Sequence, residues 1–195
     1  GNESSMSLVW EAHQEDKSED SSRISMEYTP INLKEKLSKS VSHTAEFEIS
    51  QPVQTVFPLF TPEGEKQWAP GWDYENILGS TSLHEDYLFL TSTHDHAANE
   101  AIWIVKKYEP EAHRVQYYKI EPGEKVGMIE VTCGQSGPRS SKVRVTYKYI
   151  GLSESGNRFV ARFTKKDYKA FIEDWKRLIE AYFAKGAGES IQADR

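Results

Sequence analysis

The segment TKKDYKAFIEDWKRLIEAYF, residues 164–183, places the strongest constraint on the fold. Its Tyr168, Phe171, Ile172, Trp175, Leu178, Ile179, Tyr182 and Phe183 recur at spacings of three and four. At ~100° per residue they fill an arc of about 140° on one side of a helix. Lys169, Glu173, Arg177 and Glu180 take the other side. Thr164 and Asp167 supply a T-x-x-D start signal, and Gly186 reads as the stop, so a helix is predicted over 165–184 with a tail at 186–195. A stripe of large aromatics that wide has to be buried, and no second helix of comparable length exists to bury it.

The partner is a sheet. HTAEFEIS (43–50) alternates and reads as a strand, while PVQTVFPLF and TPEGEKQW each open with a proline near a first helical turn and read as two short helices. Six further strands follow: WDYENILGS, EDYLFLTST, EAIWIVKKYEP, HRVQYYKIEPG, KVGMIEVTC and SKVRVTYKYIGL. Turns such as EPEAH, EPGE and GQSGPRS are short enough to force antiparallel neighbours. In the last strand Val143, Val145, Tyr147 and Tyr149 share one face, and Lys142, Arg144, Thr146 and Lys148 share the other. SESGNRFVARF reads as a shorter helix docking through Phe159, Val160 and Phe163.

One helix buries its stripe only against the concave side of a sheet curved around it. The predicted fold is therefore α+β: a helix grip, in which a curved antiparallel sheet of about seven strands wraps a long C-terminal helix, with two short helices after the first strand. The domain covers 41–185. Residues 1–40 form a leader with a short helix at 31–39 from Leu33 and Leu37; within the leader EAHQEDKSEDSSR lacks periodic apolar positions and reads as flexible.

At 37% hydrophobic, 195 residues suffice for one core. The formal net charge of -6 argues against a nucleic-acid or anionic-membrane partner, since both need clustered positive potential. The chain has 1 cysteine, Cys133, which rules out an intrachain disulfide and makes a reducing cytoplasm the expected home. Neither a signal peptide nor a membrane span of ~18 apolar residues is legible. The oligomeric state is left open.

The order of elements, together with FPLFTPEGEKQWAPGW, AIWIVKKYEPEAHRVQYYKIEPG and LSESGNRFVARFTKKDYKAFIEDW, resembles the START-like, birch-pollen-allergen-like superfamily, also called SRPBCC. That superfamily includes polyketide cyclase-like members, and the quoted segments look like a bacterial branch of it. The resemblance spans roughly 41–184. It implies a cavity between helix and sheet that in relatives holds lipids, sterols, polyketides or other hydrophobic small molecules. It implies no particular reaction, because binding proteins and enzymes share the fold.

Trp68 and Trp72 flank the Pro70-Gly71 turn, and either line the mouth of such a cavity or plug the open end of the grip. Trp103, Tyr147, Phe171 and Trp175 are expected wall residues, subject to strand register, since one step inverts the faces. His94 and His96 would share one side of a strand and hold a metal if His84, Glu100 or His113 arrived. No third ligand has recognisable spacing, THDHAANEA also reads as a polar hairpin loop, and no metal or cofactor is predicted. Asp73 and Glu75 form a candidate acid–base pair, although exposed carboxylates at a strand start are commoner. Tyr117, Tyr147 and Tyr149 either orient a ligand or pack. Cys133 has no basic neighbour in sequence and reads as a small hydrophobe. No nucleophile elbow, phosphate loop or dinucleotide fingerprint occurs.

The predicted function is binding of a hydrophobic or amphipathic small molecule, lipid-like or polyketide-like, between sheet and helix. Two alternatives stand beside it: a cyclase- or dehydratase-type enzyme using a polar group in the same cavity, and a protein-interaction module whose cavity is filled by its own aromatics.

Overall fold

The computed structural model describes residues 38–80, 82–92 and 100–192, with side chains up to 186. Seven strands form a single antiparallel sheet: β1 Ser40–Ile49, β2 Glu75–Asn76, β3 Leu88–Ser92, β4 Glu100–Glu109, β5 Arg114–Glu121, β6 Lys125–Gly137 and β7 Ser140–Gly151. The order is β1-β7-β6-β5-β4-β3-β2, so β3 to β7 run as a meander of hairpins and β1 closes the far edge against β7. Between β1 and β2 lie α1, Val53–Val56, a 3-10 turn, Phe57–Phe60, and α2, Pro62–Glu65. Helices α3, Glu154–Arg162, and α4, Lys165–Gln192, follow the sheet.

Alternation sets the faces as the sequence implies. On β7, Val143, Val145, Tyr147 and Tyr149 are buried, while Lys142, Arg144 and Lys148 are exposed. Onto this face α4 lays Tyr168, Ile172, Trp175 and Ile179, all buried, each contributing about 2 kcal/mol through apolar area removed from water. The start of α4 is pinned by the Tyr168 hydroxyl, which donates to the Val145 carbonyl, and by a 2.7 Å contact between His43 Nε2 and the Phe163 carbonyl. Helix α3 is capped by Ser153, whose hydroxyl accepts from the Gly156 amide at 3.0 Å. It docks by setting Phe159 and Phe163 edge-on to Tyr149, each at 5.0 Å between ring centres.

Two expectations are corrected, and a third is not reached by the described residues. Of WDYENILGS only Glu75–Asn76 pairs, with β3. The Asn76 side chain instead accepts from the Gly79 amide at 3.1 Å and donates to the Ser80 carbonyl at 2.9 Å, and this local Asx-type turn replaces the ladder. The helix stop expected at Gly186 is not used: α4 continues to Gln192 and Gly186 stays helical. The short helix over 31–39 falls almost wholly outside the described residues, and Ser38 and Lys39 carry no regular structure.

Candidate functional site

The Trp68 to Trp72 corner is a turn with a purpose. Trp72 donates its amide to the Ala69 carbonyl at 3.2 Å, and Gly71 takes φ 71°, the conformation that a type II turn with proline before it requires. Both indole N–H groups are committed to backbone: Trp68 Nε1 to the Leu59 carbonyl at 2.8 Å and Trp72 Nε1 to the Pro62 carbonyl at 2.9 Å. The two tryptophans therefore lash the α1–α2 corner to itself and present ring surface, with no free donor, to the interior.

Those rings seed two aromatic clusters. Trp68 packs edge-on to Trp175 at 5.3 Å, Trp175 lies 6.1 Å from Tyr147 and 5.6 Å from Phe171, and Phe60 closes the group at 6.0 Å from Trp175. Phe171 stands at its outer edge, 41% exposed, with Tyr147 at 5.7 Å behind it. In the second cluster Trp72 meets Trp103 at 5.7 Å, and Trp103 stacks on Phe89 at 5.4 Å and edges Tyr117 at 5.9 Å. Trp103 Nε1 donates to Thr91 Oγ1 at 2.9 Å. The six residues singled out from sequence thus divide four and two between these clusters.

Polar groups that sequence reasoning missed face the same interior. Lys119 is on the inward side of β5 and in register with Trp103 on β4 and Gly127 on β6, and Gly127 is in turn opposite Tyr149 on β7. Because Gly127 has no side chain, the Tyr149 ring lies over its strand; a Cβ there would be 3.0 Å from Tyr149 Cε1. The next inward row carries Tyr117, Ile129 and Tyr147. Glu65, the last residue of α2, looks onto both rows: its charge acts on Lys119, Tyr117 and Tyr147.

Glu65 and Lys119 are surrounded by protein, yet each keeps intermediate exposure. Burial pushes the Glu65 carboxyl up to about 8, against a smaller opposing pull from Lys119. Burial likewise lowers Lys119 below the usual lysine value. Among the described residues neither side chain has an ion pair or hydrogen bond; the Lys119 ammonium lies 5.5 Å over the Trp103 ring. The Tyr147 hydroxyl is also without a hydrogen-bond partner among them, whereas Tyr117 donates to the Phe60 carbonyl at 2.7 Å. Burial raises both tyrosines well above the usual phenol range. At the rim, Lys125 Nζ pairs with Glu121 at 3.0 Å and covers the Phe159 ring at 4.1 Å.

Sequence carried a signal for Lys119, since alternation from Val115 and Tyr117 puts it and Glu121 on the buried face. Asp73 and Glu75, by contrast, are both exposed, and Asp73 spends one oxygen on the Tyr74 amide at 2.9 Å. Burial pushes the Cys133 thiol up to about 12, which leaves it unreactive. His94 and His96 lie outside the described residues, among which no group of three or more His, Cys, Asp or Glu side chains is placed to hold a metal. A recess lined by Glu46, Thr132, Lys142 and Arg144 is on the outer face of β1, β7 and β6, away from the interior groups. No described helix is long and apolar enough to cross a membrane.

No protein-family model matches the sequence, and no curated protein does. Solved structures do match in shape. Norcoclaurine synthase from Thalictrum flavum, as a point mutant with a transition-state analogue, aligns with TM-score 0.56 at 13% identity over 78% of this chain and 99% of that one. The same protein with dopamine and hydroxybenzaldehyde gives TM-score 0.52 at 14% identity over 79% and 95%. Mll3558 from Rhizobium loti gives 0.51 at 14% identity over 76% and 99%. With the curved seven-stranded sheet, the paired short helices after β1 and the long C-terminal helix, these likenesses show that the chain has the helix-grip fold that the START-like, birch-pollen-allergen-like resemblance implies.

Proposed function

We propose that the protein binds a hydrophobic or amphipathic small molecule between the sheet and α4, with Trp68, Trp72, Trp103, Tyr147, Phe171 and Trp175 supplying ring surface around it. The observation that carries this is the enclosed, unpaired couple Glu65 and Lys119 between two aromatic clusters. Holding a carboxyl and an ammonium inside a protein without partners costs several kcal/mol, and apolar packing of the same volume avoids that cost. Their presence is explained by a ligand that uses them. A molecule shedding ~200 Å² of apolar surface gains about 5 kcal/mol before entropy costs, at roughly 25 cal/mol per Å². The norcoclaurine synthase structure with dopamine and hydroxybenzaldehyde supports small aromatic compounds as the kind of guest this architecture admits. Native mass spectrometry of the purified protein, followed by organic extraction, tests the proposal. A stoichiometric apolar compound is expected; a clean apo mass with no shift on adding lipids or aromatic polyketides overturns it and favours a filled interaction module.

A second reading is catalytic. A carboxyl whose proton leaves near pH 8 is matched to acid–base work at neutral pH, and Glu65 is such a group facing the internal space. If an extracted compound is transformed by the wild-type chain and left intact by Glu65→Gln with its binding retained, the enzyme reading holds; equal turnover in both ends it.

A further inference from the structure

We propose that the molecule held in the interior is an aryl carboxylate whose acid group pairs with Lys119 at the middle of the concave face. This rests on the binding reading and narrows it to a chemical class.

Charge balance in the interior gives the first reason. Glu121 and Lys125 close on each other at 3.0 Å at the rim, so neither needs a further counterion. Lys119 is different: no carboxylate among the described residues reaches ion-pair distance, its ammonium lies 5.5 Å over the Trp103 ring, and the charge of Glu121, which is committed to Lys125, acts on it only at longer range. Glu65, the carboxyl that shares its space, is protonated over much of the neutral range because burial holds its proton on. A neutral guest would strip water from the Lys119 ammonium and give nothing back, whereas a carboxylate restores a charge-assisted hydrogen bond.

Placement gives the second. Lys119 stands between Trp103 on β4 and Gly127 on β6, whose missing side chain lets the Tyr149 ring lie beside the Lys119 stem, so aromatic rings flank it on both sides. One row away Tyr147 offers a hydroxyl that has no hydrogen-bond partner among the described residues, and protonated Glu65 offers another O–H. Three donors thus face one space, and the ionised carboxylate on the same face, Glu121, is already paired with Lys125. The walls favour an aromatic body over a long flexible chain, because Trp68, Trp72, Trp103 and Trp175, packed on one another and on Phe89, line them with rigid ring surface.

The test is titration of the full chain by isothermal calorimetry with 1-naphthylacetic acid and its neutral isostere 1-naphthylacetamide. Wild type is expected to bind the acid at least tenfold more tightly than the amide. Lys119→Met should bring the acid down to the level of the amide and leave the amide within twofold, and Lys119→Arg should keep the preference. An acid bound no more tightly than the amide by wild type overturns the proposal, as does a Lys119→Met chain that loses both ligands equally while keeping wild-type thermal unfolding. Should Lys119→Met fail to fold, the wild-type and Lys119→Arg acid-to-amide ratios decide alone. If the amide or an extracted neutral compound binds and the acid does not, the anion proposal falls and the binding reading survives; if nothing binds and extraction yields nothing, both fall.

Discussion

At the residue scale Glu65 sets the pH response of the molecule. The folded chain keeps its proton up to about 8, whereas an ordinary carboxyl releases it near 4.5. Between those values unfolding releases a proton, so wild-type stability falls as pH rises through the window and levels off above it. Glu65→Gln has no proton to lose and should gain on wild type across that window by on the order of 3 to 5 kcal/mol, at about 1.36 kcal/mol per pH unit. Tyr117 and Tyr147, held well above the usual phenol range, stay protonated across the window in both chains, and Lys119 is the neighbour whose titration the substitution also shifts. Urea midpoints at pH 5 and pH 8.5 measure the difference; parallel pH dependence in the two proteins would show that Glu65 is not held as an acid. The two interior residues also mark where local pattern ends. Lys119 was legible, because strand alternation gives its face without any knowledge of the neighbours. Glu65 was not, because a four-residue helix has no face of its own and its orientation is set by tertiary bonds, the two tryptophans holding the corner together and Tyr117 of β5 donating to the Phe60 carbonyl.

At the element scale the docking of α3 depends on one missing side chain. A Cβ on Gly156 would stand 1.8 Å from the Glu124 carbonyl oxygen in the β5–β6 turn, and that obstacle is backbone. Gly156→Ala must push α3 off the turn, which strains the Ser153 cap and lifts Phe159 from Lys125 and Tyr149. A loss of more than about 2 kcal/mol is expected, read as a lower urea midpoint at unchanged slope. Gly186→Ala is the contrast: it is helical with open space where the Cβ goes, so it should be neutral or stabilising by less than about 1 kcal/mol. The same pair shows what sequence pattern resolves. A glycine near the end of a helix reads as a stop, yet α4 runs through Gly186, while the glycine that fixes an interface sits in the first turn of α3 with no local mark of its role. The strand WDYENILGS failed for a related reason, since Asn76 and Gly79 satisfy each other before the ladder can extend.

At the scale of the whole molecule, the number of strands and the wrapped helix followed from hairpin-length turns and one aromatic stripe. Pairing of β1 with β7 joins residues about a hundred apart and has no local signature; only the need to close the sheet edge predicts it. That closure can be tested through Cys133. The thiol is buried on the inward face of β6, its amide donates to the His113 carbonyl at 2.9 Å, and Val143 of β7 lies opposite. Because burial holds the thiol up to about 12, labelling by a disulfide reagent at pH 8 requires the sheet to open and expose it. If β7 is clamped between β1 and β6, the only route to exposure is global unfolding, and the labelling rate should be at least about a thousandfold below that of the urea-unfolded chain, tracking the equilibrium stability. Labelling of Gly156→Ala should accelerate by the factor its stability loss predicts, and a bound interior ligand should slow labelling in proportion to its free concentration over its dissociation constant. Rapid labelling in native buffer, with no response to Gly156→Ala, would mean that the β6–β7 region opens independently of the rest and that the sheet does not behave as one cooperative unit.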